Sequence, residues 1–164
     1  MVENKTVWEF TNQRKLNRKE FLDYIERKVF RTIRKYDMLP ESRKIVLKKS
    51  GDLNTVVLKH ILENKFPVTF SAKSNFSSKN LSDVSEESFK NILKGKYVGP
   101  KNSKRLHMPL YDLSDKEIGV YASLVGLKGK KVKRDKRIQE LFARFMKKNP
   151  DLEHNVVNAM EQLK

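Results

Sequence analysis

The stretch Val46–Leu62, VLKKSGDLNTVVLKHIL, holds the residues whose types and spacing come nearest to chemistry. An apolar run ends in the polar turn Ser50-Gly51-Asp52-Leu53-Asn54-Thr55, and a helix-like run follows. A strand, a small turn with a glycine and then a helix is a common way to hold a phosphate, because backbone N–H groups and the helix N-terminus face the anion. Ser50, Gly51, Asn54 and Thr55 are the candidate nucleotide-contacting residues. The alternative is a plain βα turn in which Asn54 or Thr55 caps the next helix.

The second chemical feature is charge. The chain of 164 residues carries 36 Lys and Arg against 20 Asp and Glu, a net charge of +16. Such an excess attracts polyanions, since neutralising phosphates releases their counterions. A lysine-rich, solubilising surface is the other reading. Two clusters stand out. Arg27, Lys28, Arg31, Arg34 and Lys35 fall on one side of a helical pattern. The segment 128–137, KGKKVKRDKR, carries Lys130, Lys131, Lys133, Arg134, Lys136 and Arg137 together with Lys128. Both are candidate RNA-binding surfaces. Tyr24, Trp8, Phe10 and Tyr97 are aromatic residues that could stack on unpaired bases, or pack in the core.

Other chemistries are excluded or disfavoured. The chain has no cysteine, so it has no disulfide, thiolate metal site or cysteine nucleophile. His60, His107 and His154 lie far apart without metal-ligand spacing, and no metal site is expected. The start, MVENKTVWEF, does not read as a signal peptide. No apolar run reaches the length of a membrane span. A soluble, cytoplasmic protein without a membrane partner is expected.

The elements that must position these residues follow from periodicity and capping. Asn17 and Glu20 form a capping-box pattern ahead of a long helix closed by Pro40. Leu22, Ile25, Val29, Ile33 and Tyr36 share one stripe of that helix, opposite its bases. KIVLKK (44–49) reads as a strand, Val56–Glu63 as a two-turn helix and PVTFSA (67–72) as a second strand, a βαβ unit with a parallel pair. Residues 73–83 read as a Ser/Asn/Lys-rich loop. A short helix follows, with Ser85 as N-cap and Gly95 as C-cap. Residues 97–110 read as extended, with a Gly99-Pro100 break. Ser114 and Glu117 open another helix that Gly126 ends. Then come an amphipathic helix with Ile138, Leu141, Phe142, Phe145 and Met146 as core, a stop at Pro150, and a last helix packing Leu152, Val156, Met160 and Leu163. The expected division is a basic helical segment (1–40), an α/β core (41–112) and a helical region (113–164), together one compact unit.

Three blocks, FLDYIERKVFRTIRKYDML, KIVLKKSGDLNTVVLKHIL and MPLYDLSDKEIGVYASLVGL, stand in this order, followed by a basic helix, a proline and a last helix. Together they resemble the tRNA 2-thiolation enzymes of archaeal and cytosolic type, in the PP-loop (N-type) ATP-pyrophosphatase superfamily. The resemblance covers most of the chain outside residues 73–104. It implies an α/β fold: a reduced parallel-sheet PP-loop core of the adenine nucleotide alpha-hydrolase type, with a basic N-terminal helix and a C-terminal helical region. In that family ATP adenylates the C2 carbonyl oxygen of a tRNA uridine and a sulfur donor displaces AMP. Family members bind zinc through cysteines at their ends, and many use cysteines for an iron–sulfur cluster or persulfide.

The chain departs from the family's SGGKDS loop. Ser50 and Gly51 match, whereas Asp52, Leu53, Asn54 and Thr55 stand for glycine, lysine, aspartate and serine. An acid beside a polyanion and a lost cation each cost about 1–3 kcal/mol. The stretch NQRKLNRKEF occupies the place where a metal-binding knuckle would end, and the middle of the chain is shorter than in the family. The resulting expectation is a catalytically degenerate family member that binds tRNA or another structured RNA. It would use no cofactor, apart from residual ATP binding, and would form a homo- or hetero-oligomer with a thiolation-family subunit as a non-catalytic partner of an active thiolase. Two alternatives remain: an ATP-dependent uridine 2-thiolation enzyme that takes a partner's sulfur, and a ribosome- or RNP-associated basic protein.

Overall fold

The computed structural model describes residues 5–96 and 107–162. The expected Gly99-Pro100 break, Tyr97 and the core position Leu163 lie outside these residues.

The chain opens with an antiparallel hairpin, β1 (Thr6–Glu9) and β2 (Lys15–Asn17), which the periodicity did not reveal. It stands where the resemblance implies a metal knuckle. Gln13 takes a left-handed turn conformation with φ 69°, and aromatic packing holds the hairpin down. The Trp8 and Phe21 rings lie 5.2 Å apart, as do those of Phe10 and Tyr24.

Helix α1 (Arg18–Lys35) follows directly. Its capping box is formed as expected: Asn17 Oδ1 accepts from the Glu20 amide at 3.0 Å, and Glu20 Oε1 accepts from the Asn17 amide at 3.1 Å. The buried stripe is Phe21, Ile25, Val29, Thr32 and Ile33. Phe21 rather than Leu22 leads it, because the hairpin's aromatic cluster packs there. Tyr36, the expected last stripe residue, lies on the surface. Thr32 tolerates burial because its hydroxyl donates to the Lys28 carbonyl at 2.9 Å.

Strand β3 (Ile45–Leu47), helix α2 (Leu53–Leu62) and strand β4 (Val68–Phe70) form the expected parallel βαβ unit, in register Ile45↔Val68 to Leu47↔Phe70. Both strands are shorter than the expected segments 44–49 and 67–72, and α2 begins at Leu53 rather than Val56. Single parallel bridges Leu47↔Phe76 and Phe76↔His107 continue the sheet beyond β3.

Helix α3 (Leu81–Leu93) begins earlier than expected. Its N-cap is Asn80, in a capping box with Asp83 inside the supposed loop. Ser85 is not the cap: it is buried in the helix, its hydroxyl donating to the Ser82 carbonyl at 3.2 Å. Gly95 takes the left-handed conformation (φ 72°) just past the helix end. Helix α4 (Asp115–Val125) has the expected Ser114/Glu117 box and ends at Gly126, φ 74°.

The last two helices, α5 (Lys136–Lys148) and α6 (Leu152–Glu161), correct the expected stripes. On α5 only Phe142 is fully buried and Phe145 is exposed, so that stripe is not simple core. On α6 the buried face is Glu153, Val157 and Met160, turned by one position from Leu152 and Val156. Glu153 is accepted inside because the Ser82 hydroxyl donates to it. The main core cluster runs from Leu16 through α1, β3 and α2 to Tyr121 and Ala122.

The Ser50–Thr55 turn and a candidate nucleic-acid interface

The turn connects β3 to α2, and its own side chains hold it closed. Asp52, not Asn54 or Thr55, is the N-cap. The Asp52 carboxylate accepts from the Thr55 amide at 3.2 Å and from the Thr55 hydroxyl at 2.7 Å. Thr55 has one hydroxyl hydrogen, so in its 3.0 Å contact with Ser78 the Ser78 hydroxyl is the donor. Ser50 Oγ accepts from the Asp52 amide at 3.3 Å. Asn54 is buried and its amide group donates to Asp83 Oδ2 at 3.1 Å.

A second segment closes the turn from outside. The Lys130 amide donates to the Gly51 carbonyl at 2.8 Å, and the Leu53 amide donates to the Lys130 carbonyl at 2.9 Å. The Leu53 and Thr55 amides, which a helix N-terminus would offer to an anion, are thus already bonded to a backbone carbonyl and a carboxylate. The cavity beside the turn, about 340 Å³, is lined by Lys48, Lys49, Ser50, Ser77 and neighbouring residues.

Behind the turn lies an ionic cluster that spacing alone did not reveal. Arg134 is only 11% exposed. Its guanidinium donates to Asp83 Oδ1 at 2.6 and 2.9 Å, to Asp115 Oδ1 at 2.9 Å and to Glu86 Oε1 at 3.4 Å, with a further contact to Asp115 Oδ2. Asp83 and Asp115 lie in the first turns of α3 and α4, so one arginine ties two helix N-termini together. Burial opposes its charge, but Asp115, Asp83 and Glu86 outweigh that and hold its pKa above the ordinary value. Arg134 is therefore an internal counter-ion and not an accessible RNA contact.

Glu86 is the cluster's weak point. Burial, then repulsion from Asp115, Glu153 and Asp83, push its carboxyl up to about 7 against the pull of Arg134. Its Oε2 is buried without a hydrogen-bond partner. A carboxyl raised on folding contributes stability that is complete below its ordinary value of 4.5 and is lost as the pH rises through about 7. The shift corresponds to roughly 3–4 kcal/mol. Glu86→Gln is expected to flatten much of the fall in urea-denaturation stability between pH 5 and pH 8. Glu153, also raised chiefly by burial, leaves part of the slope in place. An unchanged slope would mean that Glu86 is solvated.

The predicted basic face of α1 divides in two. Arg27, Arg31, Arg34 and Lys35 are exposed. Lys28 turns inward, 12% exposed, with its ammonium 3.2 Å from Glu117 and 3.8 Å from Asp112. It also donates to the Tyr24 hydroxyl at 3.1 Å. Burial opposes its charge and Glu117 and Asp112 more than compensate, raising its pKa. Lys28 therefore leaves the list of accessible bases. Tyr24, Trp8 and Phe10 pack against the core and are not open stacking platforms. Lys130, Lys131, Lys133, Lys136 and Arg137 have exposed side chains.

A thiolate-held metal centre does not fit these residues. The chain has no cysteine, and among the described residues no three His, Asp or Glu side chains converge to hold a metal ion. Among them, too, no helix is long and apolar enough to cross a membrane.

No family model and no curated protein matches the chain. Among solved structures, the U34-tRNA thiolase NcsA from Methanococcus maripaludis, determined with its [4Fe-4S] cluster, is similar with a TM-score of 0.77 at 13% sequence identity, over 93% of this chain and 82% of that one. The likeness shows the fold: a mixed α/β, thiolase-like architecture with a reduced core.

Proposed function

We propose that, on this thiolase-like fold, the chain binds tRNA or another structured RNA through its exposed bases and carries out no ATP-dependent chemistry at the Ser50–Thr55 turn. The observation that carries the reading is the closed turn. Asp52 and the Lys130 backbone already bond the Thr55 and Leu53 amides at the start of α2, while Arg27, Arg31, Arg34, Lys35 and the bases of 128–137 other than Arg134 present their charge to solvent. Phosphate contacts of this kind give affinity and position without reading sequence. The chain is a catalytically degenerate relative in this reading. It acts in the cytoplasm beside an active thiolase, as a non-catalytic homo- or hetero-oligomeric partner.

The test is binding of bulk tRNA by fluorescence anisotropy at rising salt, with ribosome co-sedimentation as the comparison. Tight binding to tRNA with a steep salt dependence supports the reading. Co-sedimentation with ribosomes and no tRNA affinity at low salt would replace it with a ribosomal role.

A further inference from the structure

Residues 127–135 leave α4, cross the Ser50–Thr55 turn and enter α5, and the segment is pinned along its length. The Leu127 amide donates to the Ala122 carbonyl at 2.9 Å. Lys130 bonds through both its amide and its carbonyl to the turn. Arg134 is locked among Asp83, Asp115 and Glu86. Asp135 caps α5 through the Arg137 amide at 3.1 Å and meets Lys90 at 3.5 Å. Gly129 lies so close to the turn that a Cβ there would sit 2.6 Å from Leu53 Cα and 2.7 Å from Leu53 N. No other residue fits without moving the strap off the turn.

Along the segment, Lys128, Lys130, Lys131 and Lys133 hold their side chains in solvent. A loose lysine-rich loop loses backbone and side-chain freedom when it grips a polyanion, and a pinned one has lost its backbone freedom already. We propose that 127–135 is a preorganised strap for an RNA phosphate backbone, anchored on the turn, with Gly129 and Arg134 as positioning residues. The turn thus serves as the strap's anchor. This inference rests on the RNA-binding reading and adds where the backbone lies and what holds the strap ready for it.

The experiment uses the full chain and bulk tRNA, with log K followed against log salt and folding checked by circular dichroism. Lys128→Ala/Lys131→Ala/Lys133→Ala leaves every pin intact and is expected to reduce the salt slope by roughly 2. Gly129→Ala keeps every charge. It is expected to weaken binding about tenfold at each salt with the slope preserved, because the cost is ordering rather than lost contacts. Should Gly129→Ala not fold, a Gly-Gly insertion after Lys131 loosens the strap without crowding Leu53, and the same loss is expected. Wild-type affinity in a folded, loosened variant overturns the inference, as does an unchanged slope in the triple lysine variant. Absence of wild-type binding both to bulk tRNA and to ribosomes would instead overturn the RNA-binding reading itself, and the inference with it.

Discussion

Replacing Arg134 with methionine is expected to cost about 3–5 kcal/mol of folding stability, a fall in Tm of roughly 6–20 °C for a chain of this size. The loss does not come from one salt bridge. Arg134 is the charge that lets Asp83, Glu86 and Asp115 stand together, and its removal leaves those carboxylates without their shared cation. Asp115 is half-exposed and can rehydrate, which places the result toward the lower end. Thermal and urea denaturation of the two proteins side by side measure it. The loss should shrink when Asp83→Asn is added, because one stranded charge is then gone. A cost under about 0.5 kcal/mol would mean that the cluster behaves as an ordinary surface feature.

The opposite outcome is expected on α1. Arg27→Ala/Arg31→Ala/Arg34→Ala should change stability by no more than about 0.5 kcal/mol, because all three side chains are exposed. The same variant should lower tRNA affinity by roughly a hundredfold at moderate salt and reduce the salt slope by about 2–3. A folded triple variant with unaltered affinity and slope would show that α1 faces away from the RNA. These two variants separate the roles of bases that look alike in the sequence, since Arg134 works inward and Arg31 outward.

That difference marks what the sequence could and could not disclose. Helices α1 and α4 were legible because Asn17 with Glu20, and Ser114 with Glu117 and Gly126, are local signals that need no knowledge of the rest of the chain. The βαβ unit was legible from β-branched runs flanking a short helical one. The start of α3 was missed because Asn80 and Asp83, an equally good box, are embedded in a polar run that reads as a loop. Asp52 was weighed only as an acid beside a phosphate, whereas it is the helix cap.

The inward bases were hidden for a different reason. Lys28 sits at the edge of the buried stripe of α1. Whether such a base faces solvent or a carboxylate depends on α4, which brings Glu117 against it from 89 residues away. Arg134 meets Asp83 across 51 residues, and nothing in KGKKVKRDKR sets it apart from its neighbours. Long-range charge pairing leaves no period and no motif. Gly129 is similar, since its need for a bare backbone is visible only once Leu53 lies against it.

The Ser50–Thr55 turn lies between β3 and α2 and holds its own Asp52 carboxylate and the Lys130 backbone. Calorimetric titration of the purified protein with ATP and Mg²⁺, with and without bulk tRNA and at two salt concentrations, tests this most directly. No heat of ATP binding, together with salt-sensitive binding of tRNA, is the predicted result. Micromolar ATP binding would contradict it, for it would show that the Ser50–Thr55 turn opens to take a phosphate.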